Sequence, residues 1–323
     1  MNRIKTDVCI IGAGSGGLSI AAGASQMGAS VVLLEGHKMG GDCLNYGCVP
    51  SKALIAAGKQ AYAMANTGDL GVTAVKPKID YAAAKDHVRK VIETIKPVDS
   101  QERFEGFGVN VIREFGKFIS KTEVQAGDTI IEARRFIVAT GSGPFVPPIP
   151  GLDDVDVYTN ENIFDLREKP DHLIVVGGGP IGMEMAQAHL RLGSKVTVIE
   201  GAKAMGKDDP EMAAVVLDKL RAEGVEIIEE AQAEKVTGKN GKVTVHTPKG
   251  DFTGSHLLMA VGRKVNVEKL DLDKAGVNWG RGGVEVGANL RSVTNKKVYA
   301  VGDAAGGLQF THVAGYHAGV VIR

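Results

Sequence analysis

The sequence predicts an α/β fold with two parallel sheets, each joined to a small antiparallel meander. A unit of buried strand, glycine-rich turn, helix and second strand occurs twice, displaced by 165 residues from Gly12 to Gly177. After each unit, an alternation of apolar and polar residues over 109–141 and 225–262 ends in a continuous apolar run. Glycine is also abundant, at 43 of 323 residues, which favours tight turns and close backbone approaches.

The composition excludes several classes of protein. Lys+Arg and Asp+Glu both number 38, so the formal net charge is zero, which argues against nucleic acid or an anionic membrane surface as partner. No apolar run reaches the ~20 residues that span a bilayer, and the N-terminus has no secretory pattern. Three cysteines are too few for a disulfide scaffold, so we expect a cytoplasmic protein with a catalytic or redox cysteine pair.

The predicted domains follow from the repeat and from a proline-rich linker at 144–151. We expect a first domain over 1–148, a second over 149–282, and a return of 283–323 to the first. Between the first unit and its meander, the spacing of apolar residues from Asp80 to Val98 predicts a packing helix with Asp80 as its N-cap.

Both glycine-rich turns have the pattern GxGxxG, and the second strand of each unit ends in an acid. In this pattern the first glycine permits the tight turn, the second lets the backbone approach a pyrophosphate, and the third lets helix and strand pack closely. A single GxGxxG can be a packing turn, but two copies in this context predict two Rossmann-like dinucleotide-binding domains. The residues concerned are Gly12, Gly14, Gly17 and Glu35 in the first unit, and Gly177, Gly179, Gly182 and Glu200 in the second.

Cys43 and Cys48 are separated by four residues in a glycine-rich segment. Residues five apart in a regular α-helix have Cα atoms roughly 8.6 Å apart, whereas a disulfide needs about 4.4–6.8 Å. If the two cysteines pair, the chain therefore cannot be regular helix at Cys43. We expect the helix to begin near Cys48, where its N-terminus would favour a thiolate. Spacing alone also allows two unconnected thiols. Cys9, in the first strand, is expected to be a core residue.

The segment GGDCLNYGCVPSK, the two glycine-rich units, Ala139-Thr140-Gly141 and Tyr299-Ala300-Val301-Gly302-Asp303 together resemble the class I pyridine nucleotide–disulfide oxidoreductases. That group includes dihydrolipoamide dehydrogenase, mercuric reductase and glutathione reductase, and the resemblance covers essentially the whole chain. It implies FAD and NAD(H) as cofactors, no resident metal, and a redox disulfide between Cys43 and Cys48.

The resemblance also implies roles for individual residues. Cys48 would be the thiol against the flavin and Cys43 the thiol that exchanges with substrate. Lys52 and Glu184 match the family's ion pair beside flavin and nicotinamide, although each alone could be a surface charge. The residues expected to bind FAD are Gly12, Gly14, Gly17, Glu35, Gly41, Gly116, Thr140, Gly141, Gly302, Asp303 and Ala314. Those expected to bind NAD(H) are Gly177, Gly179, Ile181, Gly182, Glu200 and Gly262. His312 and His317 are expected to be structural.

The implied function is a relay of electrons from NADH through FAD and the disulfide to a small external disulfide, or the reverse reaction of a dihydrolipoamide dehydrogenase. A mercuric-reductase-like enzyme and a non-catalytic flavoprotein or redox sensor remain alternatives. The family's C-terminal dimerisation domain, which acts on the partner subunit's thiol, is expected to be absent, because the chain ends at Arg323 where that domain would begin. We expect the full-length form to be a homodimer.

Overall fold

The structure, a computed structural model, describes residues 2–68, 70–239 and 241–323. Within them the α-helices are α1 (Ser15–Gln26), α2 (Gly41–Asn45), α3 (Cys48–Ala65), α4 (Tyr81–Ile95), α5 (Gln101–Gly106), α6 (Pro180–Arg191), α7 (Pro210–Glu223) and α8 (Thr311–Ile322). The strands up to the linker are β1 (Asn2–Ile11), β2 (Val31–Leu34), β3 (Asn110–Ile112), β4 (Gly116–Ser120), β5 (Glu123–Ala126), β6 (Thr129–Val138) and β7 (Ser142–Pro144). The later strands are β8 (Val157–Tyr158), β9 (His172–Val176), β10 (Lys195–Ile199), β11 (Glu226–Ile228), β12 (Lys235–Lys239), β13 (Lys242–Thr247), β14 (Gly250–Gly254), β15 (His256–Met259), β16 (Arg263–Val265), β17 (Trp279–Gly280), β18 (Gly283–Val284) and β19 (Val298–Ala300).

The chain divides into two compact units. Unit 1 consists of 1–45, 92–143 and 264–323, and unit 2 of 46–91 and 144–263. In unit 1, the order β3-β2-β1-β6 is parallel, and β19 joins β6 in parallel. β4 and β5 extend the sheet as an antiparallel meander along the first half of β6. Apolar clusters lie against both faces of the sheet, so residues 8–11 of β1 and all of β2 are continuous apolar runs.

Unit 2 contains a second parallel sheet in the order β11-β10-β9-β15-β8. The separate strands β12, β13 and β14 form an antiparallel meander. The strand order is the same as in unit 1, since β9 takes the place of β1 and β10 that of β2. The fold class predicted from the repeat is therefore confirmed.

The two meanders differ in how their last strand continues into the parallel sheet, a difference that the sequence pattern did not predict. In unit 1 the last meander strand and the returning strand are one continuous strand, β6. In unit 2 they are two strands, β14 and β15, interrupted at Ser255. The Ser255 hydroxyl donates to the His172 carbonyl at 3.1 Å and accepts from the His172 N–H at 3.1 Å, which holds this break against the start of β9.

The compact units differ from the predicted domains at 46–91, 144–148 and 264–282. Residues 264–282 lie with unit 1, because Val265, Leu272 and Val277 are buried in the same apolar cluster as Phe136 of β6. Residues 46–91 lie with unit 2, where α3 packs on α6. The assignment of each predicted domain to a particular cofactor stays a prediction.

The helix predicted after Asp80 runs from Tyr81 to Ile95 and is followed by a short 3-10 turn. The Ala83 N–H donates to the Asp80 carboxylate at 2.9 Å, as an N-cap requires. Val88 is buried, but Val98, at the end of the predicted stripe, is exposed. No helix among the described residues is both long and apolar enough to cross a membrane.

Candidate functional site

The first glycine of each turn is required by the local backbone. Gly12 has φ +107° and Gly177 has φ +115°, a region that favours glycine. A Cβ on Gly12 would lie 2.4 Å from the Ala139 carbonyl oxygen, and a Cβ on Gly177 would lie 2.3 Å from the Ala260 carbonyl oxygen. In both units the glycine therefore lets the turn pass directly against the end of the neighbouring parallel strand.

The third glycine of each turn is required by helix packing. A Cβ on Gly17 would lie 1.9 Å from the Gly12 carbonyl oxygen, and one on Gly182 would lie 2.0 Å from that of Gly177. Either contact is shorter than any real Cβ contact, so α1 and α6 can approach their strands only through glycine. The structure thus gives both glycines the packing role that the motif predicts.

Packing within the chain does not explain the second glycine of either turn. A Cβ on Gly179 would meet no heavy atom within 4 Å among the described residues, and one on Gly14 would have only Gly41 Cα, at 3.8 Å. A bound pyrophosphate, which must approach this backbone closely, does explain a glycine here. The turn therefore fits a dinucleotide phosphate in both units.

The acid that ends the second strand is held in the same way in both units. One oxygen of Glu35 accepts from the Ala13 N–H at 2.8 Å and the other from the His37 N–H at 2.7 Å. One oxygen of Glu200 accepts from the Gly178 N–H at 2.7 Å and the other from the Ala202 N–H at 2.8 Å. Each carboxylate keeps further lone pairs with which it can accept from ribose hydroxyls.

Three further residues predicted to bind FAD also lie near the first turn. Gly41 has φ +59°, and a Cβ there would lie 2.6 Å from Gly14 Cα, so the Gly41 turn packs on the glycine-rich loop. The Oγ1 atom of Thr140 is buried and has no hydrogen-bond partner in the described part of the chain. Such an unsatisfied hydroxyl fits a position that hydrogen-bonds a ligand. At Gly116, packing within the chain explains the glycine, because a Cβ there would lie 2.5 Å from Leu34 Cδ1.

Asp303 and Ala314 are brought together with Gly302 in unit 1. The Ser142 hydroxyl donates to Asp303 Oδ2 at 2.6 Å. Gly302 has φ +59°, and a Cβ on it would lie 3.0 Å from Ala314 Cβ, near the start of α8. The Gly302 N–H donates to His317 Nδ1 at 3.1 Å, and burial lowers the pKa of His317. His317 is thus a neutral acceptor that holds this turn, as expected of a structural histidine.

Ser142 was not among the predicted site residues, although it directly follows the Thr140-Gly141 pair. Side-chain packing within the described residues does not account for Ile181, Gly141 or Gly262. Ile181 is 45% exposed on the first turn of α6. Gly141 and Gly262 have φ +65° and +139° and meet no atom within 4 Å of an added Cβ in the described residues.

Cys43 lies in α2, a short helix of unit 1, and is half-buried. Two hydrogen bonds hold this helix, since the Asn45 side-chain amide donates to the Met39 carbonyl at 3.0 Å and to the Gly41 carbonyl at 2.8 Å. α2 ends at Asn45, and the chain leaves helical geometry before Cys48. This agrees with the expectation that Cys43 and Cys48 do not share one regular helix.

Cys48 is the first residue of α3 in unit 2 and is exposed. The preceding turn is fixed by the Asn160 side chain, which donates to the Tyr46 carbonyl at 3.3 Å. Pro50 is tolerated in the first turn of α3 because no intrahelical N–H bond is needed there. The thiol therefore stands at a helix N-terminus, where the partial positive charge of the helix stabilises an anion.

Lys52 and Glu184 form an ion pair within unit 2, with the Lys52 Nζ 2.7 Å from a Glu184 carboxylate oxygen. Lys52 lies one turn after Cys48 in α3, and Glu184 lies on the first turns of α6. A second contact between the two helices lies farther along both of them. A Cβ on Gly58 of α3 would lie 3.2 Å from the Ala188 carbonyl oxygen of α6, so the helices pack closely there.

Farther along, the Arg191 guanidinium of α6 lies 4.5 Å from the centre of the Tyr62 ring of α3. Because the three contacts ascend together in both helices, α3 and α6 run in the same direction. Cys48, at the start of α3, therefore lies at the same end of this helix pair as the Gly177–Gly182 turn.

No group of three or more His, Cys, Asp or Glu side chains arranged to hold a metal ion occurs among the described residues. Cys9 is fully buried in the apolar cluster of unit 1, and burial raises the pKa of its thiol. It is a core residue, as predicted.

A family model described as "Pyridine nucleotide-disulphide oxidoreductase" matches residues 6–318. The chain is 31% identical to the mercuric reductase of Lysinibacillus sphaericus, over 99% of this chain and 60% of that protein. It is 33% identical to the mercuric reductase of Bacillus cereus, over 98% of this chain and 51% of that protein. The chain thus spans about half to three fifths of the length of these relatives.

The dihydrolipoyl dehydrogenase of Staphylococcus aureus is 33% identical, over 98% of this chain and 69% of that protein. Among solved structures, the Cu(II) complex of the HOCl-induced flavoprotein disulfide reductase RclA from Escherichia coli matches with a TM-score of 0.87 and 29% identity. That match covers 98% of this chain and 70% of the RclA chain.

Proposed function

Since the chain belongs to the pyridine nucleotide-disulphide oxidoreductase family, we propose that it is the nucleotide-binding part of an FAD-dependent NADH:disulfide oxidoreductase. The electrons of NADH would open a Cys43–Cys48 disulfide, and the resulting dithiol would reduce an external disulfide. In the opposite direction the same residues would oxidise a dithiol such as dihydrolipoamide. The family confirms the resemblance seen in the sequence.

One observation carries the proposal: Cys48 and the Gly177–Gly182 turn lie at the same end of the parallel α3–α6 pair. In a relay through FAD, the thiol and the nicotinamide must both reach the flavin, and the shared end of the two helices within unit 2 supports such an arrangement. The Lys52–Glu184 pair spans the two helices at this end. If α3 were only a packing helix and Cys48 had no role, neither the Lys52–Glu184 pair nor the parallel direction of α3 and α6 would be required.

Both cofactors fit the residues present. The turns at Gly12 and Gly177 accept a pyrophosphate, Glu35 and Glu200 are held as ribose acceptors, and the buried Thr140 hydroxyl requires a partner. We assign FAD to unit 1 and NADH to unit 2. When bound, FAD supplies a two-electron carrier between NADH and a disulfide.

The chain's own residues would then carry out thiol–disulfide exchange. The Cys43 thiolate attacks one sulfur of the external disulfide, and the first substrate thiol leaves with a proton. The Cys48 thiolate then attacks the Cys43 sulfur, which releases the second thiol and restores the Cys43–Cys48 bond. The N-terminus of α3 favours the thiolate form of Cys48.

The test is NADH-driven reduction of lipoamide by the full-length flavoprotein. We expect turnover in the wild type and its loss in both Cys43→Ser and Cys48→Ser. Both variants should still bind FAD and pass electrons from NADH to a small dye, because the nucleotide-binding residues are intact. Full lipoamide turnover by Cys43→Ser would refute the proposed exchange. A protein that binds FAD but is never reduced by NADH would be a redox sensor or other non-catalytic flavoprotein.

A second candidate is reduction of a bound metal ion through the same dithiol. It is favoured by the mercuric reductase relatives and by the Cu(II) complex of RclA. The assay replaces lipoamide with Hg²⁺ or Cu²⁺ and follows NADH oxidation without oxygen. Metal-dependent oxidation that requires Cys43 and Cys48, together with negligible lipoamide turnover, would assign the metal ion as substrate.

A further inference from the structure

A buried ionic network joins α3, α6 and α7 in unit 2. The Glu223 carboxylate of α7 accepts from Arg191 Nε at 2.7 Å and from Arg191 Nη2 at 2.6 Å. Gln187 donates to the same carboxylate at 3.2 Å, and the Lys219 ammonium lies 3.6 Å from it. Only 2% of the Glu223 side chain is exposed, compared with 14% for Arg191.

The network ends on the aromatic ring of Tyr62 in α3. The Arg191 guanidinium lies 4.5 Å from the ring centre and the Lys219 ammonium 4.9 Å from it. Lys219 also donates to the Tyr62 hydroxyl at 2.8 Å. Cations over a ring face are attracted by its negative charge density, so both side chains bind α3 through one residue.

Glu223 is charged in this environment. Burial by itself raises the pKa of a carboxyl group, but the hydrogen bonds and charge of Arg191, helped by Gln187 and Lys219, lower the pKa of Glu223 below its usual range. A buried charge with bidentate pairing has one preferred geometry, because any shift leaves the ion uncompensated. The Glu223–Arg191 pair is therefore a rigid connection.

The same helix pair carries Lys52 and Glu184. Lys52 lies ten residues before Tyr62 in α3, about 15 Å along the helix, and Glu184 lies seven residues before Arg191 in α6, about 10 Å. The Lys52 and Glu184 side chains are 61% and 41% exposed. An ion pair this exposed contributes little free energy and cannot set the position of two helices by itself. The buried network at the other end can.

We propose that Glu223 is a positioning residue: by holding Arg191 against Tyr62, it fixes α3 on α6 so that Lys52 meets Glu184 beside Cys48. The inference rests on the proposed function for its catalytic consequence, but not for the placement of Lys52. Glu223 lies on a different helix from both members of the ion pair. No contact of Glu223 with Lys52 or Glu184 is needed, since the helices transmit the position.

The experiment compares Glu223→Gln and Tyr62→Leu with Tyr62→Phe in the full-length holoenzyme. Tyr62→Phe keeps the ring and loses only the hydroxyl. Asp86→Asn is the control, because it breaks the Asp86–Arg167 ion pair of the same unit, which joins α4 to the segment before β9. The first readout is the rate at which an amine reagent labels Lys52 relative to Lys59, an exposed lysine of the same helix. The second is the rate of flavin reduction at saturating NADH.

We expect Glu223→Gln and Tyr62→Leu to raise relative Lys52 labelling about threefold, as the ion pair opens. They should slow flavin reduction about tenfold, within the roughly hundredfold that a displacement of an ångström can cost. Tyr62→Phe should retain most of the rate, and Asp86→Asn should change neither readout. In a Glu184→Gln background, Glu223→Gln should slow the reaction no further.

The proposal is overturned if Glu223→Gln and Tyr62→Leu lower the unfolding midpoint but leave Lys52 labelling and the reduction rate unchanged. Additive losses of rate in the Glu184→Gln background would also overturn it. If Glu223→Gln does not fold, Tyr62→Leu and Tyr62→Phe decide the question. Absence of NADH-driven flavin reduction in the wild type would defeat the proposed function, while the labelling readout would still test the placement of Lys52.

Discussion

Gly12 lies so close to Ala139 that a Cβ atom on Gly12 would stand 2.4 Å from the Ala139 carbonyl oxygen. The same relationship joins Gly177 to Ala260 in unit 2, at 2.3 Å. Both glycines also have positive φ, so alanine at either position would be strained as well as crowded. The two turns are therefore equivalent in structure, and the proposal gives them different cofactors.

Gly12→Ala and Gly177→Ala should have different effects on cofactor use. Gly12→Ala should purify with little FAD, whereas Gly177→Ala should retain FAD but bind NADH weakly. Flavin content and the NADH dependence of flavin reduction measure the two effects. Gly106→Ala is the control, because an added Cβ there meets no atom within 4 Å in the described chain. Loss of flavin from Gly177→Ala with retention in Gly12→Ala would reverse our assignment of the cofactors.

The Lys52–Glu184 pair should matter more to rate than to stability. Because both side chains are largely exposed, Lys52→Met or Glu184→Gln should change the free energy of unfolding by less than about 1 kcal/mol. Flavin reduction by NADH should fall about tenfold in each, as expected when a positioning contact is lost. Lys274→Met removes a similarly exposed ion pair with Asp271 and serves as the control. Equal rates in the Lys52, Glu184 and Lys274 variants would show that the pair is an ordinary surface contact.

NADH should be preferred over NADPH. The backbone N–H groups of Gly178 and Ala202 hold the Glu200 carboxylate in place, where it can accept from ribose hydroxyls but repels a 2′-phosphate. Placing like charges together costs more than about 1.4 kcal/mol, so the preference should be at least about tenfold. Glu200→Gln should reduce the preference for NADH over NADPH, whereas Glu35→Gln, the matching change in unit 1, should leave that preference unchanged. Faster flavin reduction by NADPH at the same ionic strength would contradict the assignment of Glu200.

Lys85 should make stability depend on pH. It is 2% exposed, its ammonium donates to the Ile163 carbonyl at 2.8 Å, and burial lowers its pKa to about 7. Between pH 7 and the ordinary lysine pKa of 10.5, the unfolded chain binds a proton that the folded chain does not. The free energy of unfolding should therefore rise with pH across this window, by at most on the order of 5 kcal/mol.

Denaturant unfolding at pH 7 and pH 9.5 measures this effect. Lys85→Met should flatten the rise, and Lys90→Met, on the exposed side of the same helix, should preserve it. The comparison uses the pH dependence rather than absolute stability, because Lys85→Met also leaves the Ile163 carbonyl without its donor. A rise of the same size in Lys85→Met would show that Lys85 keeps an ordinary pKa.

Local patterns predicted much of the fold because the repeated elements depend on nearby residues. The strands before Gly12 and Gly177, the turns themselves and the acids at 35 and 200 follow from spacing, and the structure places them as expected. The beginning of α3 at Cys48 was predicted from the needs of a disulfide. The role of each site residue stays a prediction.

Other features depend on contacts between distant residues, and no local pattern reveals them. Lys85 reads as a surface lysine in the sequence, yet it is buried against Ile163, 78 residues away. Glu223 ends an ordinary amphipathic helix, and only the fold brings Arg191 to it. The segment 264–282 follows unit 2 in the chain, but its apolar residues complete the core of unit 1. Such partners are chosen by packing rather than by sequence spacing.

The most direct test counts thiols after one pair of electrons. The full-length flavoprotein is reduced without oxygen by one equivalent of NADH per flavin, then alkylated, and each cysteine is quantified by mass spectrometry. We expect Cys43 and Cys48 to become alkylated together, from almost none before NADH to nearly complete after it, while the buried Cys9 stays unmodified throughout. If NADH reduces the flavin and neither Cys43 nor Cys48 gains label, the two cysteines are not the redox pair and the proposed function is wrong.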